Sequence, residues 1–136
     1  MATGHDKKGT PVENWDLFTL AGAGAPRSNA NDMLIYVGAN LGLIKTNLLQ
    51  VMQQTHIRMA SGTPNDTIGM AWLISSQFGS QIIWHNGGTG GFQTFIGFDE
   101  KRKTGVVVLS NSANRIDDLG FHFLDRFPVN EYHREN

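Results

Sequence analysis

Residues 81–98 read Gln81-Ile82-Ile83-Trp84-His85-Asn86-Gly87-Gly88-Thr89-Gly90-Gly91-Phe92-Gln93-Thr94-Phe95-Ile96-Gly97-Phe98, and this stretch decides the fold. Gln81 to His85 has the bulk of a short strand, and Phe92, Thr94, Ile96 and Phe98 recur with a period of two, the spacing of a strand covered on one face. Between them, Asn86 to Gly91 reads as a glycine turn, since Asn-Gly is a favoured hairpin pair. A two-residue turn needs one or two glycines, yet four fall within the five positions from Gly87 to Gly91. Glycine weakens a strand, so the excess has a second reading: it lets a ligand come close to the backbone.

The period of two extends outward. Ile68, Met70, Trp72 and Ile74 alternate with Gly69, Ala71, Leu73 and Ser75, which predicts one strand over 68–75. Phe78-Gly79-Ser80 reads as a turn, Asp99 to Thr104 as a charged hairpin loop, and Gly105 to Ser110 as a strand built on Val106-Val107-Val108-Leu109. Four strands with short turns predict an antiparallel meander over 68–110. Helical spacing flanks it. Ser28 or Asn29 can cap a helix with Asp32 in its first turn, Met33, Leu34, Val37 and Leu41 on one stripe, and Gly42 at its end. A second helix is predicted over Thr46–Gln54, on Leu48, Leu49, Val51 and Met52, followed by a loop from Thr55 to Thr67. A closing helix is predicted over 115–127, with Ile116, Leu119, Phe123 and Phe127 as its stripe and Pro128 as its stop. Residues 1–27 read as irregular, and the run Ala21-Gly22-Ala23-Gly24-Ala25-Pro26, lacking the lysine of a phosphate loop, as a tight packing turn. The sum is a single α+β domain over 1–136: an antiparallel sheet of about four strands covered by two to three helices.

Composition narrows the function classes. The chain has 136 residues, the size of one domain. Its 16 glycines are nearly 12%, against about 7% in ordinary proteins. With no cysteine there is no disulfide, thiol nucleophile or thiolate metal site. A net charge of −1, with Lys101-Arg102-Lys103 as the only basic run, argues against nucleic acid as a partner. No apolar stretch is long enough to span a membrane, and Met1 to Asp6 holds no signal-peptide core. Of the histidines, His5 reads as solvated, His56 as a helix-end cap, His122 as outward-facing on the last helix and His133 as part of the tail. They lack metal-site spacing, so neither a metal nor another cofactor is expected. Asp117-Asp118 reads as a helix amino end, and Trp72 and Trp84 as core.

His85-Asn86-Gly87-Gly88-Thr89-Gly90-Gly91-Phe92 resembles the third motif of the serine β-lactamase and penicillin-binding-protein superfamily, in the branch of class C β-lactamases, D-aminopeptidases and esterases. Three more segments resemble that branch in the right order: Ala21 to Leu34, Gly69-Met70-Ala71-Trp72, and Gly105 to Asn111. The resemblance spans roughly residues 3–125 and corresponds to the carboxy-terminal third of the family's catalytic domain, which implies a partial β-lactamase/transpeptidase-like fold. The family's Ser-x-x-Lys and Tyr-x-Asn motifs are absent: none of the seven serines has Lys three places on, and Ser112-Ala113-Asn114 follows the third motif instead of preceding it.

The resemblance implies acyl transfer on amide or ester substrates, with Gly88 offering its backbone N–H to the oxyanion. His85 takes the place where many relatives have lysine; an imidazole titrates near pH ~6.5 and is mostly neutral at pH 7, which suits a less anionic substrate. The remaining expected contacts are Asn86, Gly87, Thr89 and Gly90. An alternative for His85 is a strand-end histidine bonded to a backbone carbonyl. Three functional readings follow: the carboxy-terminal part of a serine hydrolase, inactive alone; a complete small non-catalytic binding or complementing subunit; or an unrelated α+β protein whose turn imitates the motif. The first implies, as partner, the amino-terminal portion of the same hydrolase, or self-association through apolar surface left bare. The family is often periplasmic or secreted; the residues themselves leave the compartment open.

Overall fold

A computed structural model describes residues 1–62, 66–76 and 79–125. The first long helix, α2 (Ala30–Asn40), starts on a side-chain cap: Asn29 is extended, and its side-chain oxygen accepts from the Asp32 N–H at 3.0 Å. It ends at Leu41 with Gly42 in the left-handed region at φ +71°. The Lys103 ammonium donates to the Leu41 carbonyl at 2.7 Å, placing a cation at the helix's negative end. α3 covers Leu49–Thr55, and α4 covers Asp117–Asp125 with both aspartates in its first turn.

The class is α+β with an antiparallel sheet, as the sequence predicts, but the sheet has six strands among the described residues. They run β3 (Ala60–Ser61), β4 (Asp66–Ile68), β5 (Leu73–Ser75), β6 (Ile82–Thr89), β7 (Phe92–Asp99) and β8 (Thr104–Ser110), each beside the next in sequence. The expected strand over 68–75 is a hairpin. Ile68 pairs with Leu73, and the Gly69 N–H bonds the Trp72 carbonyl at 2.9 Å. The end of α3 pins this turn: the Met70 N–H bonds the Thr55 carbonyl at 2.9 Å. Alternation alone cannot see a reversal whose loop keeps the period. The second difference lies in the glycine stretch. β6 runs through Asn86, Gly87, Gly88 and Thr89, and only Gly90-Gly91 form the turn.

Residues 1–27 carry more structure than expected. β1 (Gly4–His5) and β2 (Pro11–Val12) form a small ribbon, followed by a 3-10 turn (Phe18–Leu20) and α1 (Ala21–Gly24). The ribbon docks on the β6–β7 turn: the His5 N–H faces the Gly91 carbonyl at 3.1 Å and the Asn111 carbonyl at 3.0 Å, and Ala113 donates to His5 at 2.9 Å. His5 is therefore half-buried rather than solvated, with its Nδ1 3.1 Å from the Asn111 carbonyl. Gly91 must be glycine on two counts: its φ is +74°, and a Cβ there would lie 2.4 Å from the His5 nitrogen. The run expected as a tight packing turn is a one-turn helix, close-packed only at Gly24, where a Cβ would lie 3.3 Å from the Leu17 side chain; at Gly22 a Cβ would meet nothing within 4 Å.

The sheet buries both faces, and strand alternation sorts the core into two clusters. On one face α2 covers Trp72, Ile74, Ile83 and Phe98 with Val37 and Leu41. On the other, α4 covers Ile82, Trp84 and Phe95 with Ile116, Phe121 and Leu124. Trp72 meets Phe98 edge-on at 5.2 Å, and Trp84 meets Phe121 edge-on at 4.9 Å. The stripe expected on the closing helix is rotated. Ile116 and Leu119 face the sheet, but Phe123 is 68% exposed while Gly120, Phe121 and Leu124 are buried. The expectations placed on Thr63–Asn65, Phe78, Phe127, Pro128 and His133 lie outside the described residues.

Candidate active site

Thr89 pairs with Phe92 across Gly90-Gly91. A two-residue turn makes that closing pair the hydrogen-bonded one, because the alternative pattern would need a bond between adjacent residues. Alternation then turns the backbone N–H and C=O of Trp84, Asn86 and Gly88 away from β7. Trp84 is met on that side by Leu73, where β5 ends. Asn86 and Gly88 lie past it and pair with no strand on that side among the described residues, so the Gly88 N–H points out of an open sheet edge.

The side chains divide by face. His85, Gly87 and Thr89 lie on the α2 face; Asn86 and Gly88 lie on the α4 face. The exposed His85 ring and Ile96 form the floor of an open hollow of about 520 Å³. Its walls are Met33 and Tyr36 of α2, Leu48, Val51, Met52 and Thr55 from α3 and its approach, and Met70 to Trp72 of the β4–β5 turn. The lining is apolar apart from His85, the Tyr36 and Thr55 hydroxyls and the Trp72 N–H, and Trp72 Nε1 donates to Thr55 Oγ1 at 3.1 Å.

His85 Nδ1 lies 2.5 Å from the Asn86 carbonyl. A carbonyl only accepts, so Nδ1 carries the hydrogen. Among the described residues Nε2 has no protein partner. The ring is thus a strand-end histidine bonded to a backbone carbonyl, the alternative reading of the sequence, and it also borders the hollow. Asn86 turns its side chain to the back of the sheet, where Nδ2 donates to Asp117 Oδ2 at 2.9 Å, and Arg115 donates to that same oxygen at 2.9 Å. Gly90 is buried, with a Cβ position 2.5 Å from the Glu13 carbonyl and 2.8 Å from the Trp15 ring. Of the residues expected to line a site, His85, Gly87 and Gly88 come together at the open edge with Thr89 beside them. The Asn86 side chain and Gly90 do not join them.

Sequence reasoning missed His56. Its backbone ends α3, as expected, but its ring is buried at 5% exposure. Nδ1 is 2.9 Å from Glu100 Oε1, Nε2 is 3.0 Å from Asn40 Oδ1, and the ring meets Phe98 edge-on at 5.1 Å. His56 therefore ties α3 to α2 and to the β7–β8 loop, holding the wall of the hollow. Its partners lie 16 and 44 residues away, so no local pattern signals them.

At the far end of β7, Asp99 anchors the hairpin loop. Burial acts to raise its carboxyl, but hydrogen bonds from the Arg102 side chain and backbone, from Ser80 and from the Lys101 N–H outweigh this and hold it below its ordinary 3.8.

The beta-lactamase family model matches residues 1–127. Among solved structures, the D-alanine carboxypeptidase AmpC from Burkholderia cenocepacia is similar, with a TM-score of 0.72 and 25% identity over 82% of this chain and 41% of that one. The chain thus spans about two-fifths of that neighbour's length. No curated protein matches it. A six-stranded antiparallel sheet with a helix on each face, a glycine-rich strand with an open edge, and a family match that spans all of the described residues agree: this chain belongs to the beta-lactamase family, within the serine β-lactamase and penicillin-binding-protein superfamily.

Proposed function

We propose that this chain forms one wall of an acyl-transfer site acting on amide or ester substrates. The observation that carries the reading is the open edge of β6 beyond Trp84, where the pairing pattern aims the Gly88 N–H outward. A carbonyl oxygen that gains charge on attack needs such a fixed donor, and a residue without a side chain lets it approach. On the other face of the same strand His85 presents Nε2 to the hollow, which would receive the apolar part of the substrate. An imidazole where relatives have lysine favours a substrate with little negative charge. The similar solved structure is named a D-alanine carboxypeptidase, which agrees with a hydrolase acting on an amide.

The 136 residues contain no Ser-x-x-Lys, so the nucleophile is supplied by a segment outside them. The open edge of β6 beyond Trp84, beside the hollow, is where it would seat. The test is complementation. The chain alone should not hydrolyse p-nitrophenyl acetate or nitrocefin, and co-expression with a Ser-x-x-Lys segment of the same family should restore turnover of one of them. Gly88→Pro, which deletes the donor, should then lower kcat about 10²–10³-fold. Turnover by the isolated chain, or a complemented Gly88→Pro protein of full activity, would sink the proposal.

A further inference from the structure

We infer that Asp117 is a positioning residue for His85, acting through Asn86 from the opposite face of the sheet. Asp117 Oδ2 accepts from the Asn86 side chain at 2.9 Å, and the Asn86 carbonyl accepts from His85 Nδ1 at 2.5 Å. One residue thus joins the two faces: its side chain is held behind the sheet, and its own carbonyl sets the ring in front. Arg115, at 2.9 Å from the same Asp117 oxygen, holds the carboxylate in place at the start of α4.

This stretch of backbone needs a lock. β5 stops at the Leu73–Trp84 pair, so among the described residues the Asn86 peptide has a sheet neighbour on the β7 side only. Gly87 and Gly88 follow it, the two residue positions with most freedom to let a peptide plane tilt. A charge-assisted bond to the Asn86 amide restrains that tilt from behind. If the carbonyl swings, His85 loses its acceptor and both neutral ring forms become accessible. With the lock closed, the hydrogen sits on Nδ1 and the lone pair of Nε2 faces the hollow. Asp117 serves the site without touching it. Its value to catalysis rests on the reading under Proposed function; its control of the ring form does not.

Long-range ¹H–¹⁵N spectra of the imidazole test this without turnover, so a failed lock and a failed active site give different results. At about pH 9, above the usual imidazole range, His85 of the intact chain should read as the Nδ1–H form. Asp117→Ala should shift the balance between the two ring forms roughly fivefold, the scale of one hydrogen bond. Asp117→Asn keeps an acceptor oxygen and should restore the native pattern. Asn86→Ala, which removes the other end of the lock, should reproduce the Asp117→Ala spectrum and guards against loss of the fold in the first variant. A native His85 in the Nε2–H form overturns the inference, and so does an Asn86→Ala or folded Asp117→Ala protein with an unchanged ring signature.

Discussion

Gly120 sits within α4 against the Phe95 ring, and replacing it with alanine sets two effects against each other. Helix propensity favours alanine by about 1 kcal/mol. Sterics oppose it: a Cβ at Gly120 would lie 2.2, 2.4 and 2.5 Å from Phe95 Cδ1, Cε1 and Cγ, where ordinary carbon contacts are ~3.5–4 Å. Relief needs a shift of more than an ångström, and the ring has nowhere to go. Phe95 is 1% exposed, stacked on Trp84 at 5.7 Å and edge-on to Phe121 at 5.2 Å. Overpacking of this kind costs up to about 3 kcal/mol, so sterics win and Gly120→Ala should destabilise by about 2 kcal/mol net. For a domain of this size that is a fall in Tm of roughly 5–10 °C. Thermal and urea unfolding followed by tryptophan fluorescence read it. Two controls sharpen the test. Gly22→Ala in α1, where a Cβ meets open space, should be neutral or slightly stabilising. In a Phe95→Leu background, Gly120→Ala should do less harm, because contacting residues couple. A Gly120→Ala protein as stable as the native chain would refute the packing argument.

Other outcomes follow from the same geometry. His56→Ala leaves the buried Asn40 Oδ1 without its partner and should cost about 2–4 kcal/mol, combining that unmet hydrogen bond with the lost ring contacts; a urea midpoint within error of native would contradict it. Asp99 has a folded pKa below its ordinary 3.8, so its contribution is present above that value and lost as pH falls through the lowered one. The urea midpoint should therefore drop below about pH 4, and less steeply in Asp99→Asn. Gly91→Ala should detach the amino-terminal ribbon, read as faster proteolysis before Trp15 with the rest of the fold intact. Leu34, Ile35, Leu43, Leu48 and Val51 are exposed on or beside α2 and α3, so sedimentation should show association that rises with concentration and weakens in Leu48→Glu. A monomer at every accessible concentration would count against bare docking surface.

What the sequence made legible was what depends on near neighbours. The Asn29 cap, the left-handed Gly42 and the β7–β8 hairpin each rest on residues within a few positions, and each forms where local chemistry places it. The open edge of β6 was legible only as a glycine surplus. Its meaning depends on where β5 stops, and β5 stops because Gly69–Trp72 folds back against Thr55. The closing helix was misphased for a related reason: its packing position is Gly120, which carries no apolar side chain for a pattern to count, so Phe123 took its place in the stripe. Asn86 reads as a site residue by position, while its side chain belongs to the back of the sheet because strand alternation leaves it no choice.

The ribbon at residues 4–12 bears on the order in which the molecule assembles. His5 is held by Asn111, 106 residues later, and by Gly91. Neither anchor exists when the ribbon leaves the ribosome. At about 5–20 residues per second, the interval before Asn111 is made is on the order of 5–20 s. Through that time the segment must wait unpaired, and its run of Gly4, His5, Asp6, Lys7, Lys8, Gly9 and Thr10 suits it to wait in water. The ribbon is thus made well before its anchors and is among the last parts of this sheet to dock, and it closes over the hairpin turn only after the strands on either side of it are in place.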